Sequence, residues 1–135
     1  MSALLRILQP PGWPRPRGYA NGVAARGVQV HLSGMVGWEA EGRFRTVDLV
    51  VQARQALANI LAVLAEAGAG PQHIVRMTWY VLDKREYLAA SEALGAAYRE
   101  IIGRHYPAMT AVEVRALIED RAKVEIEVTA VVPEG

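Results

Sequence analysis

Cysteine is absent from this 135-residue chain, which excludes disulfides, thiolate nucleophiles and zinc–thiolate centres together. Histidine is scarce: His31, His73 and His105 are scattered, so no histidine-rich metal centre is expected. Neither sign of charge dominates, since 15 Lys and Arg face 14 Asp and Glu for a net charge of +1. Nucleic-acid binders ordinarily concentrate a basic excess on one face, so nucleic acid is not an expected partner. No uninterrupted apolar run approaches the roughly 18 residues of a membrane span. The opening Met1–Leu5 is apolar, but Arg6 and then Pro10-Pro11 interrupt it, unlike the core of a leader peptide. A soluble, cytoplasmic protein with no membrane partner is the expectation.

What the chain has in quantity is apolar side chain. Hydrophobic residues make up 52% and charged residues 21%, a balance that folds rather than staying disordered. One domain over residues 1–135 can bury about two-thirds of its unfolded surface around a single core. The apolar surplus in so short a chain also points to a buried interface.

Periodicity divides the chain into elements. Leu4–Leu8 reads as a short strand, followed by the proline-rich loop Pro10–Gly18. Val28–Ser33 alternates, with Val30 and Leu32 on one side and Gln29, His31 and Ser33 on the other. Glu41-Gly42-Arg43 reads as a turn. From Asp48 to Ala67 the step changes to three and four residues, giving a helix striped by Leu57, Ile60, Leu61 and Leu64. Thr46 is placed to cap its start and Gly68 its end, with Pro71 barring continuation. His73–Val81 alternates again, putting Val75, Met77, Trp79 and Val81 on one face. A second helix is predicted over Arg85–Ile102, with Leu88, Ser91, Leu94, Tyr98 and Ile101 inward. Strands Thr110–Leu117 and Lys123–Val132 complete the chain; in the last, Val124, Ile126, Val128 and Ala130 oppose Glu125, Glu127 and Thr129. The order β-β(-β)-α-β-α-β-β implies an α+β fold, a mixed sheet with two helices on one face. The other face then needs a cover, and oligomerisation is the simplest source of one.

The pieces Gly18-Tyr19-Ala20-Asn21-Gly22-Val23, Ser33-Gly34, Gln52–Ile60, Ala67-Gly68-Ala69, Val81-Leu82-Asp83, Tyr106-Pro107-Ala108 and Val124-Glu125-Ile126-Glu127 occur in a specific order. Together, from Gly18 to Val131, they resemble the RidA family, also called YjgF or L-PSP. That resemblance implies a chorismate-mutase-like fold, a homotrimer built round a barrel of sheets, and small-molecule clefts between subunits. It further implies hydrolysis of reactive enamines and imines to 2-oxo acids and ammonia, with no cofactor. Carried over by position, Tyr19 matches the cleft tyrosine, Ser33 and Gly34 the pocket's Ser-Gly pair, and Glu125 the glutamate that positions water. Ser91 stands where many members carry asparagine. Met109 stands where the family's carboxylate-binding arginine belongs.

A guanidinium offers a carboxylate two parallel charge-assisted hydrogen bonds, and a thioether offers no donor at all. Loss of such an anchor costs about 2–5 kcal/mol when it leaves a buried charge unpaired. Arg17, two residues before Tyr19, is the first candidate to replace it, ahead of Arg115, Arg76 and Arg104; each also reads as a solvated surface charge. Met109 makes the pocket more apolar. Trp38 and Trp79 would then favour a larger, aromatic ligand, unless they serve only in packing. His31, on the face of Ser33, is either a general base or a structural histidine; His105 reads as a cation at a helix C-terminus. Glu125 and Glu127 could equally pair across subunits. Two functions stay open: an enamine or imine deaminase of altered specificity, and a non-catalytic small-molecule-binding or regulatory member. A ribonuclease role gains no support from the charge balance.

Overall fold

The glutamate-bearing last strand is the axis of the sheet. The computed structural model describes residues 5–134, so Leu4 of the predicted first strand lies outside the described residues. Strands β1 (Leu5–Leu8) and β2 (Gly22–Ala25) pair as a separate antiparallel ladder. Strands β3 (Val28–His31), β4 (Ile74–Val81), β5 (Ala108–Glu113) and β6 (Val124–Val132) form a mixed sheet of order β3-β6-β4-β5. β6 runs antiparallel to both neighbours, while β4 and β5 are parallel.

Three helices, rather than the two predicted, join these strands: α1 (Leu49–Glu66), α2 (Lys84–Ala89) and α3 (Ser91–Ile101). α1 packs on β6 and on α3. Its stripe of Leu57, Ile60 and Leu64 is fully buried, each side chain contributing about 1.5–3 kcal/mol by leaving water. By length and composition α1 could cross a membrane, but its apolar stripe is spent on the sheet. The inner face of β6, Val124, Ile126, Val128 and Ala130, is buried as its alternation predicts, and Glu125, Glu127 and Thr129 point the other way, half-exposed.

Four local expectations are corrected. Asp48, not Thr46, caps α1: its Oδ1 accepts from Val51 N at 3.0 Å, and Thr46 Oγ1 accepts from Asp48 N at 3.0 Å. A carboxylate one bond from the helix start reaches the third amide more directly than a hydroxyl two residues earlier. In β4 a register shift between Ile74 and Arg76 turns Ile74 into the core and leaves Val75 half-buried, because a bulge resets the two-residue period. The predicted second helix breaks at Ala90 (φ −94°, ψ 7°), which rotates the α2 stripe away and leaves Leu88 55% exposed. β5 stops at Glu113, where β4 ends as well, so Ala116, Leu117 and fully exposed Ile118 belong to a loop.

Gln52, from the helix motif, is the buried polar tie of this frame. Its Nε2 donates to Thr46 O (2.9 Å) and Arg121 O (3.0 Å), and its Oε1 accepts from Lys123 N (2.8 Å). Three bonds satisfy a side chain only 1% exposed and fix the entry of β6.

Candidate functional site

A cavity of about 480 Å³ opens on the helix side of the sheet, beside β5. The parallel register of β4 and β5 sets Met77 beside Met109 and Trp79 beside Ala111. All four share the core-facing side, because Trp79 and Met77 also pair with buried Ile126 and Val128. Ala20 N donates to Pro107 O at 2.9 Å, and Ala20 bridges Ala108 in parallel. That extra rung lays the Arg17–Tyr19 loop along the free edge of β5. Arg17, Tyr19, Ser91 and Met109, four of the residues proposed from the sequence, therefore line one cavity, with Trp79 in its wall. Trp38 does not join them; Asn59 Nδ2 holds its carbonyl at 2.8 Å elsewhere. Arg76, Arg104 and Arg115 also lie outside the cavity.

Its walls are aromatic. Tyr98 stacks on Tyr106 with ring centres 5.6 Å apart and planes 13° apart, and Trp79 meets Tyr87 edge-on at 6.3 Å. The Tyr98 hydroxyl donates to His105 O at 2.5 Å. Burial raises the pKa of Tyr98 and of Tyr87 above the ordinary phenol value, so both remain neutral donors. His105 itself donates from Nε2 to Ile74 O at 2.7 Å, a tie between loop and sheet. The indole Nε1 of Trp79 is buried with no hydrogen-bond partner among the described residues.

Arg99 also lines this cavity, and the sequence reading missed it. The available signal was the four-residue step Ser91, Gly95, Arg99, which carries the stripe of Ser91 along α3. A β-carbon on Gly95 would lie 3.3 Å from Arg99 Nη1, so the guanidinium lies back along its own helix over the glycine. Neither Arg17 nor Arg99 joins an ion pair among the described residues; those pairs are Arg45–Glu39, Arg54–Glu100 and Lys123–Glu86.

Gly34 and Glu125 meet on the opposite face, with exposed Ser33 next to Gly34 in the chain. Met35 exchanges both backbone hydrogen bonds with Ile126, at 2.7 and 2.9 Å, which aligns residues 33–35 with β6. The Glu125 carboxylate then occupies the space a Gly34 side chain would fill. Further along this face, the Tyr80 hydroxyl donates to Glu127 Oε1, and that bond raises the tyrosine's pKa. A hollow of about 290 Å³ lies between His31, Arg76, Thr78 and Glu127. His31 is exposed and meets Gln29 Oε1 at 3.0 Å and Thr129 Oγ1 at 3.5 Å. The proposed site residues thus fall into two groups separated by the thickness of one sheet.

Residues 14–132 match the family model described as Endoribonuclease L-PSP. The chain belongs to the Rid (YjgF/L-PSP) family. A RutC family protein of Synechocystis is 32% identical over 96% of this chain and 98% of its own length. A 2-iminobutanoate/2-iminopropanoate deaminase of Salmonella typhimurium is 33% identical over 84% and 86%. Among solved structures, a Rid family protein of unknown function from Yersinia pestis superposes with a TM-score of 0.84 at 30% identity, covering 96% of this chain and 99% of that one. Escherichia coli TdcF with bound serine gives a TM-score of 0.67 at 29% identity over 93% and 98%. The α+β frame and mixed sheet are therefore those of the Rid family.

Proposed function

We propose that this Rid family member hydrolyses an enamine or imine to a carbonyl compound and ammonia, in clefts between the copies of a homotrimer, without a cofactor. One observation carries the reading: the residues of the site occupy two opposite faces of one sheet, each group well formed. Arg17, Tyr19, Ser91 and Met109 line the helix-side cavity, and Gly34 is cut away to seat Glu125 on the other side. A chain cannot fold both groups onto one ligand through its own sheet. A neighbouring copy can present its Ser33–Gly34–Glu125 face to this cavity's mouth, and cyclic repetition of that contact closes a ring. The helix-free face, with Glu125, Glu127 and Thr129 half-exposed, then gains its cover.

In that cleft the imine carbon is the electrophile. A water molecule adds to it as the Glu125 carboxylate accepts a water proton. That proton returns to nitrogen to complete the carbinolamine; its hydroxyl proton then passes to nitrogen through the same carboxylate as the C–N bond breaks, and ammonia and a carbonyl compound leave. The sum is imine plus water to carbonyl plus ammonia. Support for the chemistry comes from the relatives that are 2-iminobutanoate/2-iminopropanoate deaminases. Met109 in the cavity wall supports an altered substrate range, since it cannot hold a small carboxylate.

The test is direct. Imines are generated in situ from alanine and from bulkier amino acids with an amino-acid oxidase, and oxo-acid and ammonia release is followed. Acceleration over buffer for at least one imine is expected; none for any would sink the proposed reaction. A monomer-sized species in gel filtration would sink the shared cleft.

A further inference from the structure

We infer that the helix-side cavity takes an aromatic carboxylate, its ring among the tyrosine and tryptophan walls beside Met109 and its anionic group on Arg99 with Arg17. This rests on the reading of that cavity as the substrate site and names its ligand class. Three observations on the molecule converge. The cavity's about 480 Å³ is the size of sites for ring-bearing small molecules. Its walls carry two aromatic pairs in stacked and edge-on geometry, the surfaces on which a further ring packs with favourable quadrupole alignment. Met109 adds a polarisable thioether suited to ring edges.

The cavity's cations are not on β5. The position beside Met77 on β5 is a thioether. The guanidinium groups come instead from α3 and from the loop along β5, where Arg99 and Arg17 both line the cavity. Neither is spent on an acidic side chain among the described residues. Gly95, one helical turn before Arg99, leaves open the space beside Nη1, since a β-carbon there would lie 3.3 Å from it. A ligand that uses both features of this cavity therefore carries a ring and an anion in one molecule.

Three stable probes separate the features of this ligand: 3-phenylpropanoate has ring and anion, 3-phenylpropanamide the ring alone, and propanoate the anion alone. Calorimetric titration of the intact protein is expected to show 3-phenylpropanoate binding at least about tenfold tighter than either, since a charged hydrogen bond and a buried ring each contribute at that scale. Arg99→Gln should weaken 3-phenylpropanoate about tenfold or more and leave the amide unchanged. Arg104→Gln, an equal loss of charge outside the cavity, should change neither. Equal affinities for the three probes, or equal effects of the two arginine variants, would overturn the inference. Circular dichroism confirms the fold of each variant, both substituted residues being exposed. Imine hydrolysis is measured separately. Its failure with ring-and-anion selectivity intact removes the reaction and keeps the ligand class. Hydrolysis of 2-iminopropanoate with no such selectivity does the reverse.

Discussion

The Glu125 carboxylate rests where the side chain of any residue but glycine at position 34 would stand. Nothing about φ demands glycine there; the demand is the close approach of a carboxylate from the neighbouring strand. Gly34→Ala should displace the far end of a flexible side chain, so its thermal midpoint should fall by only a few degrees. Imine hydrolysis should fall by about 10²-fold or more, because a water-positioning base works only in register. Parallel melting and rate measurements check this. Full activity with Glu125 displaced would remove Glu125 from the mechanism.

Met109→Arg should place a guanidinium on the helix-facing side of β5, in the cavity beside Tyr19. Activity on 2-iminopropanoate should rise at least about tenfold, the effect of one charge-assisted contact to the carboxylate. The same variant should lose affinity for the aromatic acid, because it fills space a ring would use. Steady-state rates on the two imine classes give both numbers. A folded variant with no gain on the small imine would mean that the cleft departs from the family's in more than this residue.

Gln52→Leu keeps volume and removes three hydrogen bonds in a site 1% exposed. It strands the Lys123 amide at the entry of β6, and a loss of about 2–4 kcal/mol in urea unfolding is expected. A loss below about 0.5 kcal/mol would show that water replaces the amide at that junction.

These tests touch features that differ in how readily the sequence displays them. β6 is legible because one face is fully buried and the other carries Glu125, Glu127 and Thr129, so alternation survives intact. α1 is legible for the same reason at period 3.6. The break at Ala90 is not, since alanine is the strongest helix former and neither glycine nor proline marks the site. The bulge at Ile74–Arg76 is equally silent: Val75 is as apolar as Ile74, and only pairing with β6 decides which turns inward. At the site, Tyr19, Ser91 and Met109 were placed by family resemblance and Arg17 by its position two residues before Tyr19, and the four line one cavity. Arg99 has no motif of its own, and only the packing of α3 beside β5 brings it to the cavity.

Alkaline pH gives a test of the aromatic wall. Tyr98 is buried against Tyr106, so its folded pKa lies above the unfolded value of about 10, and its hydroxyl donates to His105 O. A raised pKa means that the unfolded chain loses its proton first. The stabilisation is complete below pH of about 10 and declines as pH rises through the folded value. Tyr98→Phe should be less stable at neutral pH by about 1 kcal/mol, one hydrogen bond, yet lose less stability between neutral and strongly alkaline pH. Denaturant midpoints across that range check both signs, and parallel curves for the two proteins would contradict the assignment.

Separation of the site residues by a sheet makes a prediction no single-chain site would make. Tyr19→Ala disables the cavity group and Glu125→Gln the opposite one, so each homogeneous protein should hydrolyse imine near background. In assemblies formed from equal amounts of the two chains, a cleft works when the cavity comes from the Glu125→Gln chain and the carboxylate from the Tyr19→Ala chain. Random cyclic assembly gives that pairing in roughly one cleft in four, so the mixture should recover about a quarter of the unmutated rate. Two affinity tags on co-expressed chains isolate the mixed species and remove the contribution of homogeneous ones. Recovery requires that the two faces meet across a subunit boundary, because neither chain holds both groups. Mixed assemblies with no recovery would place Tyr19 and Glu125 in separate functions, and the cavity would then have to act without the carboxylate.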